Sequence, residues 1–272
     1  MQAGLPAVAA GLPAVFETMI FRNRCIGFKD MYLKRFRESF LTLNPHAVFD
    51  PADMFNWAED EVKKFASENG VIRISLAAVT CDENIGIIHM REFGGMDAAF
   101  YSAGVRTSTA NYLTAGTRSS FHQIKSNNYL TPILSSSGGF SGNGDEFDRV
   151  FVNQSGCLTE GSVSNVFMVK NGVIWTPHPS CGILLGITRG LVLHQAQENG
   201  FKIKESGITR HEFYNADEAF LTNTTCGVIP VVMCDRRVIG TGKPGRITGL
   251  ICAKILNEYK KIGINSRREH GG

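Results

Sequence analysis

The sequence predicts an α+β protein built from two domains. Its helical and strand-like patterns do not follow one another in the regular order of a doubly wound sheet or an eight-fold barrel. A stretch rich in Ser, Thr and Gly, residues 102–123, has little apolar periodicity and is typical of an interdomain linker. The 272 residues suit two modest domains or one large one. We place the boundary in this stretch, with a smaller domain over residues 1–117 and a larger one over residues 118–272.

The composition is that of an ordinary globular protein and argues against two classes of partner. Apolar residues make up 43% of the chain and charged residues 19%, with a net charge of +3. A nucleic-acid-binding surface needs a larger basic excess, and the densest basic cluster is the terminal SRREHGG segment. No apolar run is long enough to cross a bilayer, and no charged region precedes a signal-type apolar stretch. We therefore expect a cytoplasmic protein without nucleic-acid or membrane partners.

The seven cysteines predict neither a disulfide framework nor a metal site. They are scattered along the chain without C-x-x-C pairs and without histidines at ligand spacing. We expect reduced structural thiols and no bound metal.

Apolar periodicity predicts the elements of the first domain. After a duplicated GLPAV pentapeptide, VFETMIF is typical of a strand and RNRCI of a turn with a short return strand. Helices are predicted over residues 31–43 and 51–69, the second beginning at Pro51 and ending at ENG. The segments VIRISLAAV and IGIIHMREF then predict two further strands.

The second domain is predicted to be rich in short strands. They are indicated around residues 150–152, 165–169 and 173–176, separated by NQSG and KNG turns. A helix over residues 188–199 ends where Gly200 favours a left-handed cap. The segment EAFLTNTTCGVIPVVMCDRRVIG alternates strands with turns, and a last helix is predicted over residues 244–261.

Lys125 is the first candidate for chemistry. It lies in SSFHQIKSNNYL, where Arg118 is the only other formal charge within ten residues on either side. Neighbours such as Phe121 and Ile124 suggest a dry site, where the neutral amine is favoured. A neutral lysine is a nucleophile that forms Schiff bases with carbonyl compounds, including pyridoxal phosphate. Taken alone, the stretch fits an ordinary surface lysine better.

Three later segments carry further candidates. In TEGSVSNVF, Glu160 ends an apolar strand, which suits a carboxylate beside a protonated pyridine ring or a turn cap. In GILLGITRG a turn opens into a helix, whose first N–H groups attract phosphate, and Gly186 permits close approach, although many helices begin this way. In LTNTTCGV, Thr222, Thr224 and Thr225 supply hydroxyls for a phosphate or for an ordinary β-turn.

Taken together and in order, these segments resemble the class IV family of pyridoxal-phosphate enzymes. That fold type includes branched-chain and D-amino-acid aminotransferases and aminodeoxychorismate lyase. The likeness is strongest over IKSNNYL, LTEGSVSNVFMVKNGVIWTP, GILLGITRG and NADEAFLTNTTCGVIPV. It implies a two-domain fold-type-IV enzyme, with a small N-terminal α/β domain, a larger C-terminal pseudo-barrel domain and pyridoxal 5′-phosphate at their interface. It also implies an amino acid and a 2-oxo acid as substrates, and a homodimer.

The resemblance implies a role for each matching residue. Lys125 matches the lysine that holds the cofactor and shuttles a proton, and Tyr129 matches the tyrosine near the ring hydroxyl. Glu160 matches the carboxylate facing the pyridine nitrogen, and Leu184 would lie against one face of the ring. The residues that match the phosphate site are Arg35, Gly186, Ile187, Thr188, Thr224 and Thr225.

The departures from the family pattern bear on the reaction. The strands that usually precede the VFET segment are missing, and Tyr32, Leu185 and Val163 replace a histidine, a proline and a serine. Neither Arg73 nor Arg91 matches the arginine that holds a carboxylate in the D-amino-acid enzymes and the lyase, which favours a branched-chain-like aminotransferase. The alternatives are a 4-amino-4-deoxychorismate lyase, releasing p-aminobenzoate and pyruvate by β-elimination, and a degenerate, non-catalytic member.

Overall fold

The computed structural model describes residues 14–80, 83–113, 123–127 and 146–264. Within these ranges the chain forms two compact units, each with its own sheet. The GLPAV duplication and Tyr129 lie outside the described residues. Unit 1 comprises residues 14–80, 83–94, 124–127 and 260–264, and unit 2 comprises residues 95–113, 123 and 146–259.

Unit 1 contains a four-stranded antiparallel sheet. Its strands, in the order in which they lie, are β2 (Cys25–Ile26), β1 (Ala14–Arg22), β3 (Gly70–Ala78) and β4 (Asn84–Glu92). Asn23 and Arg24 form the β1–β2 turn with φ angles of 49° and 61°, the left-handed geometry of a tight two-residue hairpin. The strands predicted from VFETMIF, VIRISLAAV and IGIIHMREF are confirmed.

Two helices of unit 1 pack beside this sheet. They are α1 (Lys29–Leu43), which contacts β1, and α2 (Ala52–Lys64), which contacts β2 and β3. Phe36 of α1 and Phe55 of α2 meet edge to face, with ring centroids 5.6 Å apart. The second helix ends at Lys64 rather than at residue 69, because Phe65 is extended and its ring packs against Phe21, 5.8 Å away.

A buried ion pair joins β1 to α1. Glu17 is completely buried on β1, and Arg35 of α1 is 9% exposed. Arg35 Nε and Nη2 donate to the two carboxylate oxygens of Glu17 at 2.7 and 2.6 Å. This two-pronged geometry fixes the orientation of the guanidinium, and it makes each charge depend on the other.

Unit 2 contains a mixed sheet in which six strands close into a barrel. Around the ring these strands are β5 (Val105–Leu113), β6 (Glu146–Val152), β7 (Leu158–Gly161), β8 (Asn165–Lys170), β11 (Glu218–Asn223) and β12 (Gly227–Cys234). The pairing of β7 with β8 closes the ring. Outside it, β9 (Val173–Thr176) and β10 (Ile203–Glu205) extend the sheet from β8, and β13 (Arg237–Val238) pairs with β12.

Four α-helices complete the described part of unit 2, besides a short 3-10 helix (Pro179–Cys181). They are α3 (Ala98–Ala103), α4 (Ile187–Glu198), α5 (Arg210–Tyr214) and α6 (Arg246–Lys260). After α4, Gly200 has φ 74°, as expected for a left-handed cap. Phe167 of β8 stacks on Phe220 of β11 at 4.8 Å, while Met168 and Leu221 enter the main apolar core. In these described ranges no helix has the length and apolar character needed to cross a bilayer.

The segment expected to be a linker contains a barrel strand. β5 pairs with both β12 and β6, so unit 2 begins at Gly95 and the division differs from the expected one between residues 117 and 118. Thr107, which is 2% exposed, donates its hydroxyl hydrogen to the carbonyl oxygen of Asp148. The Ser- and Thr-rich composition of this segment indicated a loop. A hydroxyl that is hydrogen-bonded, however, can be buried in a sheet without leaving an unsatisfied polar group.

Replacing Glu17 by Gln is expected to destabilise the protein. The shape of the side chain is kept, but the buried Arg35 loses its Glu17 counter-ion, which costs about 3–5 kcal/mol. Equilibrium unfolding in urea measures the change. The control is Glu61→Gln, which breaks the exposed pair of Glu61 with Lys64 at 3.2 Å and should cost less than about 1 kcal/mol. A loss for Glu17→Gln no larger than that of the control would contradict this account.

Candidate active site

Three neighbouring strands of unit 2 align polar side chains in one row. Glu160 on β7 is paired with Asn165 on β8, which is paired with Thr222 on β11. Directly paired residues present their side chains on the same face of a sheet. Asn165 Nδ2 donates to Glu160 Oε2 at 3.2 Å. The Thr222 hydroxyl is buried and has no hydrogen-bond partner among the described residues, as expected of a group that meets a ligand.

The turn before α4 is attached to this row. The backbone N–H of Leu184 donates to Glu160 Oε2 at 2.9 Å, and Asn165 Nδ2 donates to the carbonyl oxygen of Leu184 at 2.8 Å. Glu160 and Leu184 are half-buried. The half-buried carboxylate is thus fixed from two sides, and the first turn of α4 is placed next to it.

Gly186 is required by packing against Asn165. A Cβ atom at position 186 would lie 2.0 Å from Asn165 Oδ1. The φ angle of Gly186 is −64°, which other residues adopt readily, so backbone strain is not the reason for glycine. The sequence reasoning attributed this glycine to close approach of a ligand, whereas the structure fills that space with a side chain of the protein.

The start of α4 offers backbone donors for an anion. Ile187 and Thr188 occupy its first turn. The N–H groups there have no partner within the helix, and the positive end of the helix dipole lies at the same place. The Thr188 hydroxyl lies 3.0 Å from the Tyr259 hydroxyl of α6. The amide groups, rather than this hydroxyl, are therefore the donors that the helix start presents.

The turn after β11 is organised by Asn223, which sequence reasoning missed. Asn223 Oδ1 accepts hydrogen bonds from the Thr225 and Cys226 amides at 3.0 and 2.9 Å and from the Thr225 hydroxyl at 3.1 Å. Asparagine commonly closes such turns on itself, so its place before two threonines was an available signal. Thr224 is half-buried at the tip of this turn.

Lys125 lies in unit 1, beside the first residues of β1. Phe16 N donates to the carbonyl oxygen of Lys125 at 2.9 Å, and Asn127 N donates to that of Ala14 at 2.7 Å. The Lys125 N–H donates to Ser39 Oγ at 3.3 Å. Hydrogen bonds on both sides of Lys125 therefore fix its backbone, as if the segment were a short partner strand of β1.

The Lys125 side chain is half-buried against an aromatic ring. Its Nζ lies 4.5 Å from the centroid of Phe16, and Arg73 Cζ lies 3.7 Å from the same centroid. The ring face attracts both cations. Phe16 itself is 2% exposed, so the ring is a rigid platform for the lysine.

The predicted site residues are distributed over both units. Unit 1 carries Lys125 and Arg35, whose guanidinium is oriented by Glu17. An acidic residue inside the apolar strand AVFETM was a signal for Glu17 that the sequence reasoning did not use. The remaining predicted residues within the described ranges belong to unit 2: Glu160, Leu184, Gly186, Ile187, Thr188, Thr224 and Thr225.

The described cysteines are free, and those in the barrel are shielded. Burial raises the pKa of Cys226 to about 12, so this thiol stays protonated near neutral pH. Within the described residues, no group of three or more His, Cys, Asp and Glu side chains is arranged to hold a metal ion.

A model of the family described as amino-transferase class IV matches residues 14–234. This range spans both units and includes every predicted site residue of the chain. The chain belongs to the class IV aminotransferase family.

Curated relatives include two kinds of aminotransferase. The branched-chain-amino-acid aminotransferase of Pseudomonas aeruginosa is 39% identical over 146 residues, which are 53% of this chain and 47% of that protein. The D-alanine aminotransferase of Bacillus licheniformis is 41% identical over 111 residues, 41% of this chain and 39% of that protein. The chain thus spans about half or less of the length of these relatives.

Solved structures share the whole fold. The branched-chain aminotransferase of Thermoproteus uzoniensis, determined with norvaline, superposes with a TM-score of 0.81. It is 24% identical in sequence, and the match covers 96% of this chain and 92% of that one. The fold-type-IV architecture with a closed barrel is thereby confirmed.

Replacing Gly186 by Ala is expected to destabilise unit 2. The new Cβ must displace Asn165, whose hydrogen bonds to Glu160 and Leu184 are then lost, at a cost of about 1–3 kcal/mol. The control is Gly190→Ala in the same helix, where a Cβ meets no atom within 4 Å. This substitution should raise the free energy of unfolding by about 0.5–1 kcal/mol. Thermal unfolding of both variants measures the difference, and equal stability of the two would contradict the packing explanation.

Proposed function

We propose that this protein is a pyridoxal-phosphate-dependent aminotransferase that moves an amino group between a branched-chain-like amino acid and a 2-oxo acid. The observation that carries the proposal is the row of Glu160, Asn165 and Thr222 beside the first turn of α4. It combines in one unit a fixed carboxylate, a helix start and a buried hydroxyl that has no hydrogen-bond partner in the described part of the chain. Membership of the class IV family and the branched-chain relatives support the same conclusion.

The donors and acceptors of unit 2 fit pyridoxal phosphate. Glu160 would face the pyridine nitrogen, and Leu184 would lie against the ring. The phosphate would be bound by the first-turn amides of Ile187 and Thr188, where backbone N–H groups and the helix dipole favour an anion. Around that anion we also place Gly186, Thr224 and Thr225. When bound, the protonated ring supplies an electron sink for the carbanion formed on the substrate.

Glu160 would keep the ring nitrogen of the bound cofactor protonated. Its Oε2 accepts hydrogen bonds from Leu184 N and Asn165 Nδ2, which hold the carboxylate in one orientation. A fixed carboxylate does not have to reorient when positive charge on the nitrogen must be stabilised.

Lys125 is the nucleophile and the general base. Lys125 would hold the cofactor through Nζ, and as general base the same nitrogen would accept the proton from the substrate α-carbon. The backbone bonds to Phe16 and Ser39 limit where Nζ can move. We assign Arg35, oriented by Glu17, to the phosphate, and Tyr129 to the ring hydroxyl.

We further propose that the enzyme is a cytoplasmic homodimer. Cofactor that binds only the folded protein stabilises it by mass action. Light scattering after size-exclusion chromatography, with and without pyridoxal phosphate, measures the mass, and a monomer under both conditions would contradict a dimer.

Substrate choice is tested with purified protein loaded with pyridoxal phosphate. With 2-oxoglutarate as acceptor, we expect glutamate to form from L-leucine, L-isoleucine and L-valine. Glutamate formation from D-alanine alone would instead assign the D-amino-acid reaction. Release of p-aminobenzoate from aminodeoxychorismate would assign the lyase reaction, and a protein that stays colourless with added cofactor would be non-catalytic.

Replacing Lys125 by Ala is expected to lower kcat by about 100-fold or more, because proton transfer by a positioned side chain contributes about 10²–10⁴-fold. The matched control is Lys204→Ala. Lys204 Nζ also lies over an aromatic ring, 4.0 Å from Trp175, but on the outer strand β10. The rate of glutamate formation from L-leucine measures both variants, and similar rates for the two would refute the role of Lys125.

A further inference from the structure

Asp148 is a buried carboxylate that the sequence reasoning did not single out. It lies near the start of β6 and is 3% exposed. Its Oδ1 accepts hydrogen bonds from Ser162 Oγ at 2.5 Å, Ser162 N at 2.9 Å and Arg149 N at 2.7 Å. Its Oδ2 accepts from Ser164 Oγ at 2.5 Å and from Val163 N at 3.4 Å. Four of these five donors belong to residues 162–164, between β7 and β8.

Every one of these partners can donate, and three of them are backbone N–H groups that can only donate. An ionised carboxylate accepts all of them, whereas a protonated acid or an amide would bring a hydrogen of its own into the same space. Burial raises the pKa of Asp148, and the hydrogen bonds from Ser162, Ser164 and Arg149 oppose that rise. An apolar residue of similar size could fill the space, but it would offer these donors no acceptor. What the carboxylate contributes is therefore its two acceptor oxygens.

Gly161 brings the Asp148 carboxylate against the chain next to Glu160. A Cβ at position 161 would lie 2.3 Å from Asp148 Oδ2 and 2.4 Å from Ser164 Oγ. The Gly161 amide donates to the carbonyl oxygen of Ser164 at 2.6 Å, which closes residues 161–164 into a tight turn. Asp148 therefore lies directly on the peptide that follows Glu160.

The 161–164 turn determines how Glu160 and Asn165 meet. Glu160 immediately precedes the turn, Asn165 immediately follows it, and the two residues are paired across β7 and β8. If the turn shifts, the distance between Glu160 Oε2 and Asn165 Nδ2 changes, and so does the distance from that oxygen to Leu184 N. The orientation of the Glu160 carboxylate thus depends on the bonds that hold the turn.

We propose that Asp148 is a positioning residue that acts through the 161–164 turn to orient Glu160 toward the cofactor ring. The inference rests on the proposed function, because it assumes that Glu160 faces the pyridine nitrogen. Asp148 does not touch the cofactor or the substrate in this scheme.

The test compares Asp148→Asn with wild type, with Glu160→Gln as reference and Asp235→Asn as control, all in full-length protein loaded with pyridoxal phosphate. Asp235 is also a hydrogen-bonded carboxylate in unit 2. It accepts from Thr109 N and Oγ1 at 2.8 Å each and from the Tyr214 hydroxyl at 2.6 Å. Its substitution by Asn therefore perturbs a comparable set of bonds without touching the 161–164 turn.

We expect Asp148→Asn to move the visible absorbance band of the bound cofactor in the same direction as Glu160→Gln. We also expect kcat to fall by about 10–100-fold with little change in KM, since a small misplacement of a group can cost about 10²-fold. Asp235→Asn should leave the band in place. A band and a kcat equal to wild type in Asp148→Asn, with only thermal stability reduced, would overturn the inference.

A second measurement needs no cofactor. Hydrogen exchange of the peptide covering residues 158–166 should be faster in Asp148→Asn, because a single amide oxygen cannot accept from the donors that now reach both carboxylate oxygens, so the 161–164 turn is held less firmly. Unchanged exchange there would also overturn the inference. If Asp148→Asn does not fold, Ser162→Ala and Ser164→Ala each remove one hydroxyl donor and should shift the band less, in the same direction.

The outcome separates this inference from the proposed function. If wild type shows no cofactor band at all, the proposed function fails and the inference with it. If wild type shows the band and neither Asp148→Asn nor the serine variants move it, only the inference fails.

Discussion

The side chain of Asn165 is the constraint on which the site in the barrel depends. Its amide donates to a carboxylate on one strand and to a backbone carbonyl in the turn before α4, and its oxygen fills the space beside Gly186. A carboxylate and a helix start that come from distant parts of the sequence are thereby held at fixed positions relative to each other.

In unit 1, too, neighbouring groups hold the predicted site residues Lys125 and Arg35 in position. Lys125 is not held by an acid in its own sequence neighbourhood. Its backbone is hydrogen-bonded to β1, and its ammonium group lies over the Phe16 ring. An aromatic ring face attracts a cation through its negative charge distribution. Arg35, in contrast, is held by a full counter-charge, the carboxylate of Glu17.

Much of the fold and part of the site could be predicted from the sequence. Strand and helix periodicity identified most long elements, and Gly200 marked the end of α4 because its φ angle is one that favours glycine. The barrel strand β5 was missed because Ser and Thr composition resembles that of a linker, and its pairing partners lie far away in sequence. Asp148 and Asn165 were missed for the same reason: their roles depend on side-chain contacts between strands, which local patterns do not contain.

The ring of strands closes at the row that carries Glu160. The ladder between β7 and β8 has the single residue pair Glu160 and Asn165, whereas the ladder between β11 and β8 has five pairs. A closed sheet opens most easily between the two strands that share the fewest residue pairs, because the fewest backbone hydrogen bonds are then lost. A molecule that bound both β7 and β8 would add contacts where the two strands share one residue pair. Its binding would therefore also stabilise the closed form of the barrel.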